Sequence, residues 1–330
     1  MKVILPLAGK GTRLLPLTKR VPKPLVHVAG RPVMDYVMDA LTNAQLDVEE
    51  LIVITGHLKE AVERYIGAHY RVKARFVEQK TLDGTAGAVG LARPYVDGPV
   101  MIVFVDTIFE ADLSLIHSSE ADGIIWANEV EDYQRFGVIV TDAEGYMTRI
   151  VEKPSTPVSR LANIGVYYIR DWRTLFDGIA DVMLRPAGKG GEFYLTDAFQ
   201  YMVDQGRKLK VAPAGGWYDC GKVETLLETN RHLLENGRAE TPRAAIGSTI
   251  VPPVRIEAGV TLRDSRIGPN VTLEGGSEVV DSTIANSILG RNVRVTGARV
   301  QDSVVGDEQV IDGGVVERSV LDAGELAPAP

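Results

Sequence analysis

The chain of 330 residues contains a single cysteine, Cys220, so no disulfide can form within it. Nowhere do about 18 apolar residues run together, so a helical membrane span is not expected. The first apolar run, residues 3–8, is too short for a signal-peptide core followed by a cleavage site. There is no basic run: 36 Lys and Arg stand against 44 Asp and Glu, a net charge of −8. Nucleic acid, whose phosphates call for clustered cations, is a poor partner for such a chain. A phosphorylated small substrate stays open, because a few local cations and a metal suffice for it. None of the five histidines pairs with another at ligand spacing, so a zinc site is not expected. No Ser/His or Cys/His arrangement suggests a covalent nucleophile. These absences lead to the expectation of a cytoplasmic protein in a reducing setting, with no membrane partner.

What is present changes character near residue 240. The length allows roughly two domains, and 45% apolar residues can fill more than one core. Up to about Gly237, strand-like and helix-like segments alternate. Residues 2–7, 51–54, 74–77 and 100–105 read as short strands. Val33, Met34, Val37, Met38 and Leu41 fall at helical spacing, as do Leu58, Ala61, Val62, Tyr65 and Ile66. This alternation predicts an α/β domain with a mostly parallel sheet and ligands beyond the carboxyl ends of its strands. After Thr241 the helical period disappears. A motif recurs at Asp264–Ser265, Asn286–Ser287 and Asp302–Ser303, each followed by Val or Ile and then Gly. Its first half returns at Asp281–Ser282 and Arg318–Ser319. Such a period predicts stacked coils, each burying apolar residues only against its neighbours; an ordinary β-sandwich is the plainer alternative. The expected division is a domain over 1–238, a coil domain over 239–322 and a frayed tail over 323–330.

Chemistry-bearing residues gather in the first part. After the first strand come Leu7, Ala8, Gly9, Lys10, Gly11, Thr12 and Arg13. Gly9 and Gly11 let backbone amides turn toward an anion without a side chain in the way. Arg13 adds a planar cation suited to phosphate oxygens. This is not a P-loop, since no Gly-Lys-Ser/Thr follows, and it lacks the third glycine of the dinucleotide fingerprint. Lys23 stands between Pro22 and Pro24, which predicts a stiff, extended stretch holding its ammonium in place.

Residues 9–32, GKGTRLLPLTKRVPKPLVHVAGRP, resemble the signature of the sugar-1-phosphate nucleotidylyltransferases. The resemblance continues through Glu78 and Gln79 with Asp83–Ala88, through Phe104–Asp106, Arg135–Val138 and Glu152–Pro154, and then through Asn163–Gly165, Gly191–Asp197 and Trp217–Gly221. It covers about residues 1–235, with the motifs in one order. The family joins a nucleoside triphosphate to a sugar 1-phosphate and releases pyrophosphate. The implied fold is a Rossmann-like nucleotidyltransferase domain with a mostly parallel mixed sheet. The coiled C-terminal domain found in several branches is a left-handed parallel β-helix.

The resemblance also implies roles. Arg13, Lys23 and Lys153 are the expected catalytic cations: Arg13 toward the pyrophosphate, Lys23 toward the α-phosphate, Lys153 toward the sugar phosphate. Leu7, Ala8, Gly9, Gly11, Thr12, Gln79, Gly84 and Thr85 are expected to bind the nucleotide, and Gly137, Glu152 and Asn163 the sugar. Asp106 follows a run of apolar residues, where it either caps a turn or ligates a metal; paired with Asp219 it is expected to hold Mg2+. The Gln79 amide offers donor and acceptor, which suits uracil or thymine, and Gly84 is expected to leave room for the base. The expected reaction uses UTP or dTTP with a hexose 1-phosphate, glucose 1-phosphate first. GTP with mannose 1-phosphate is the alternative, and a non-catalytic scaffold binding nucleotide-sugar a further one. Thr196 and Asp197 fall within the resemblance but could as easily be a helix N-cap, so they are left out of the expected catalytic residues. Val105 stands where most relatives have glycine, and Leu7 where small residues are commoner. The coil segment has no histidine, so the acetyl transfer of some relatives is not expected. Its role is expected to be the stacking of domains or chains, giving a homo-oligomer.

Overall fold

The computed structural model describes residues 1–241 and 245–328. The chain forms two compact units, Met1–Gly9 with Val37–Trp217, and Lys10–Tyr36 with Tyr218–Pro330. The expected boundary at residue 238 marks where helices give way to coil, but the units do not follow it. Residues 10–36 and 218–238 pack with the coil, while the sheet belongs to the other unit.

The first twelve strands are β1 (Lys2–Pro6), β2 (His27–Val28), β3 (Arg31–Pro32), β4 (Glu50–Thr55), β5 (Lys73–Glu78), β6 (Val100–Val103), β7 (Thr107–Ala111), β8 (Gly123–Glu129), β9 (Gly137–Thr141), β10 (Met147–Glu152), β11 (Leu161–Ile169) and β12 (Leu209–Asp219). The helices are α1 (Val33–Asn43), α2 (Lys59–His69), α3 (Thr85–Gly90), α4 (Leu115–Ser118), α5 (Trp172–Leu184), α6 (Leu195–Asp204) and α7 (Val223–Leu233). The strands and helices read from periodicity are all present.

In the first unit the sheet order is β5-β4-β1-β6-β11-β8-β12-β7, with β9 pairing β10 and β11. The stretch β5-β4-β1-β6 is parallel; β11 then runs antiparallel to both β6 and β8. Strands β1, β4 and β6 are almost uninterrupted Val, Ile, Leu and Met, because residues on both faces are buried. Ile4, Ile52, Ile102 and Tyr167 pack with Leu175 and Phe199 of α5 and α6 in one core.

In the second unit, strands between Thr249 and Asp322 stack in parallel on three faces. The step is 17 residues from Val254 to Val271 and 16 from Thr272 to Ile288. This is a β-helix. Its corners need left-handed backbone, which Asp, Asn and Gly tolerate best. Asp264, Asn270, Asp281, Asn286, Asn292 and Asp302 all have φ between 42° and 60°. The serine after the corner accepts a backbone N–H from the next coil: Ser282 donates to Ser265 Oγ at 3.1 Å, Ser303 to Ser287 Oγ and Ser319 to Ser303 Oγ at 3.2 Å. The recurring Asp/Asn-Ser pair is therefore a corner followed by a coil-to-coil bond. The frayed-tail expectation is corrected for Glu325–Pro328, which pairs antiparallel with Ser319–Asp322 and satisfies that strand's backbone groups; residues 329–330 lie outside the described residues.

Candidate active site

In the second unit, residues 10–26 are built from single 3-10 turns at Thr12–Leu14, Leu17–Lys19 and Lys23–Leu25. Gly11 has φ 63°, and a side chain there would press on Thr18 and Lys23. Its carbonyl accepts from the Thr18 hydroxyl at 2.9 Å and the Leu14 amide at 2.9 Å, which fixes the turn holding Thr12 and Arg13. Lys23 does not lie in an extended stretch as the prolines predict. It opens a 3-10 turn with buried Pro24 next to it, because tertiary packing overrides the pre-proline preference.

Asp219 ends β12, and its Oδ1 accepts the Gly221 amide at 2.7 Å. Gly221 is where three expected residues meet. A methyl group there would lie 2.8 Å from Asp219 Oδ1, 3.1 Å from Arg13 Nη2 and 3.3 Å from Lys23 Nζ. The fold thus gathers an acid and two cations from positions about 200 residues apart, around a glycine that leaves the space open.

In the first unit, Leu7 and Ala8 are buried past the end of β1; the Leu7 amide donates to Ile54 O at 2.8 Å, and the Ala8 carbonyl accepts from the His57 amide at 3.3 Å. A side chain at Gly9 would meet nothing within 4 Å. Asp106 lies in the short turn between β6 and β7, and Val105 beside it is buried. Asp106 belongs to the first unit and Asp219 to the second. Both offer carboxylate oxygen, the donor type that a hard divalent cation takes. Among the described residues no group of three or more His, Cys, Asp or Glu is arranged to hold a metal.

The base-loop residues are already engaged. Buried Gln79 donates its amide nitrogen to Asp83 Oδ1 at 2.8 Å and to Gly84 O at 3.2 Å. Only its carbonyl end is left to accept, so it does not offer donor and acceptor together. Gly84 has φ 110°, and a side chain there would collide with the Phe193 backbone. The Phe193 amide donates to Asp83 O at 2.7 Å, and the Thr85 hydroxyl accepts from the Leu195 amide at 2.9 Å.

The expected sugar residues come together in the same unit. Asn163 Nδ2 donates to Gly137 O at 2.7 Å, and a side chain at Gly137 would strike both Asn163 and Glu152. Lys153 has φ 43° and its amide donates to Phe136 O at 3.0 Å. Its ammonium lies 3.8 Å from Glu152 and over the Tyr194 ring. Glu152 and Lys153 line a cavity of about 580 Å³ with Tyr194 and Asp197. Burial pushes the Glu152 carboxyl above the usual range; Lys153 and the Thr196 hydroxyl pull it back. Burial likewise raises Asp197.

Sequence reasoning missed three partners. Thr196 is not the N-cap of α6, since Tyr194 holds that place; its hydroxyl donates to Glu152 Oε2 at 3.1 Å. The buried Tyr167 hydroxyl donates to Asn163 Oδ1, and Asp83 fixes Gln79. Strand alternation could not have signalled Tyr167, because the register of β11 with β8 shifts between Asn163 and Tyr167, where Gly165 has φ 80°.

The nucleotidyl transferase family model matches residues 2–236. Among similar proteins, the bifunctional protein GlmU of Methanococcus aeolicus is 31% identical over 93% of this chain and 78% of its own length. A glucose-1-phosphate thymidylyltransferase of Streptomyces antibioticus is 29% identical over 95% of this chain and 89% of its own. A solved UDP-glucose pyrophosphorylase complexed with UDP-glucose superposes with a TM-score of 0.64 at 24% identity, covering 71% of this chain and 98% of that one, a likeness of fold. No described helix is long and apolar enough to cross a membrane. With the family model matching residues 2–236 and these relatives aligned along most of the chain, the chain belongs to the sugar-1-phosphate nucleotidyltransferase family.

Proposed function

We propose that this protein transfers a nucleotidyl group from UTP or dTTP to a hexose 1-phosphate, glucose 1-phosphate first. An oxygen of the sugar phosphate bonds to the α-phosphorus. The bond from that phosphorus to the α,β-bridging oxygen breaks, and pyrophosphate leaves with the electron pair. The attacking phosphate is already ionised, so no side chain takes a proton. Neutralisation and alignment of two anions carry the catalysis. The observation that carries the reading is the convergence of Arg13, Lys23 and Asp219 on Gly221.

Arg13 offsets charge on the departing pyrophosphate and Lys23 on the α-phosphate. Lys153 holds the sugar phosphate, Glu152 accepts from sugar hydroxyls, and Asn163 and Gly137 complete that pocket. Leu7, Ala8, Gly9, Gly11 and Thr12 receive the nucleotide. Gly84 and Thr85 meet it through backbone, since the Thr85 hydroxyl is engaged. Mg2+ is assigned to Asp106 and Asp219; when bound it supplies positive charge to the phosphates. The reading includes a cytoplasmic homo-oligomer. A scaffold free of catalysis has no need to keep five charged site residues, Arg13, Lys23, Asp106, Lys153 and Asp219.

Guanylyl transfer to mannose 1-phosphate is kept as a second reading for one reason. The free acceptor end of Gln79 suits guanine N1–H as well as the pyrimidine N3–H. The deciding experiment measures pyrophosphate release with four nucleotides and a panel of sugar 1-phosphates. Release with UTP or dTTP and glucose 1-phosphate is expected. Release only with GTP and mannose 1-phosphate reassigns the base, and none with any pair favours the scaffold.

A further inference from the structure

One face of the β-helix is buried from both sides. Thr272, Ile288, Val304 and Val320 alternate with the core-facing residues of their strands, yet none is more than 3% exposed. Outward positions on the other two faces, such as Glu278, Arg294, Thr283 and Arg299, are exposed. Within the same unit, the buried face is covered by the segment that carries Arg13 and Lys23. Leu17, Val21, Leu25 and Val26 face Ile288 and Val304 across a cavity of about 110 Å³.

Polar locks surround this apolar contact. His27 Nδ1 lies 2.7 Å from Oε1 of buried Glu274, whose other oxygen lies 3.6 Å from Arg291. Arg20 lies 3.6 Å from buried Asp322, and Lys19 donates to Glu325 at 2.6 Å. Asn230 of α7 is fully buried. Its Oδ1 accepts from the Ala29 amide at 3.0 Å and the Thr272 hydroxyl at 2.7 Å, and its Nδ2 donates to Asn270 O at 3.3 Å. One asparagine thus joins the segment after Lys23, the helix after Asp219 and the coil.

A segment made of single 3-10 turns has few internal hydrogen bonds and loses much freedom on ordering. It cannot hold a lysine in place alone. Lys23 lies between Arg20 and His27, and both are tied to the coil. We infer that this coil face is the seat of the phosphate-binding segment, and that Glu274, Asp322 and Asn230 are positioning residues for Lys23 and Arg13. The inference rests on the transferase reading for what Lys23 does, and gives the coil a part in the reaction besides assembly.

The test uses the full chain with Glu274→Gln, His27→Gln, their double variant, Arg20→Ala and Arg20→Lys. Turnover, melting temperature and hydrogen exchange of residues 10–30 are compared with the parent. Glu274→Gln and Arg20→Ala are expected to lower kcat about 10- to 100-fold, the scale of a small misplacement, with the sugar-phosphate KM little changed. Arg20→Lys restores most of it, and the double variant is no worse than the poorer single one. Exchange quickens in residues 10–30 and not in the coil. Unchanged kcat with unchanged exchange overturns the inference, as does loosening spread evenly over segment and coil. If the parent releases no pyrophosphate, the transferase reading fails separately. Exchange then decides the seat: selective loosening of the segment sustains it, and no loosening overturns it.

Discussion

Glu152 shows how a single residue trades stability for a site. Burial raises its pKa, and Lys153 and Thr196 oppose the rise without cancelling it. An acid raised in the folded state favours the fold fully below its ordinary range, about 4.3, and that contribution is lost as pH rises through the folded value. Glu152→Gln removes the titration. The variant is expected to melt higher than the parent at about pH 8, the gap closing toward about pH 4, while the sugar-phosphate KM rises. A gap that stays constant with pH would mean that Glu152 does not ionise in this range. Residues in a contiguous motif were legible from sequence because a turn is local: Gly11 next to Arg13 needs only its own backbone. Gln79 was legible as a position but not as a chemistry. Its donors are taken by Asp83 and Gly84, and only the folded loop decides that.

Elements follow from their local codes to different degrees. The Asp/Asn-Ser repeat encodes corner and ladder together, so the coil could be read before it was seen. Buried Ser303 accepts from the amide of buried Ser319 at 3.2 Å and donates to Gln301 O at 2.7 Å. Ser303→Ala orphans that amide and is expected to cost about 1–3 kcal/mol. Urea unfolding of the two proteins measures it; an unchanged midpoint would deny the ladder its share of stability. Two elements were misread. The Lys23 stretch is a 3-10 turn because packing outweighs a pre-proline preference. Residues 325–328 form a strand because Ser319–Asp322 offers them an edge, which composition cannot signal.

Each of the two compact units draws on two separate stretches of the chain. Among the described residues no cluster of three or more metal-type side chains exists to bind an ion without substrate. A chelator is therefore expected to stop pyrophosphate release at once while leaving the melting temperature unchanged. Calorimetry with and without the chelator, beside the turnover assay, makes the comparison. A lowered melting temperature would point to a metal that holds the fold.

The order of residues alone settled the alternation of strand and helix, the coil period and the family signature. Each of these is a repeat or motif a few residues long, written where it acts. The tertiary structure alone decided which distant groups meet: Arg13 and Lys23 with Asp219, Glu152 with Thr196, His27 with Glu274. Such meetings depend on which surfaces bury one another, and burial is a property of the packed chain rather than of any stretch of it.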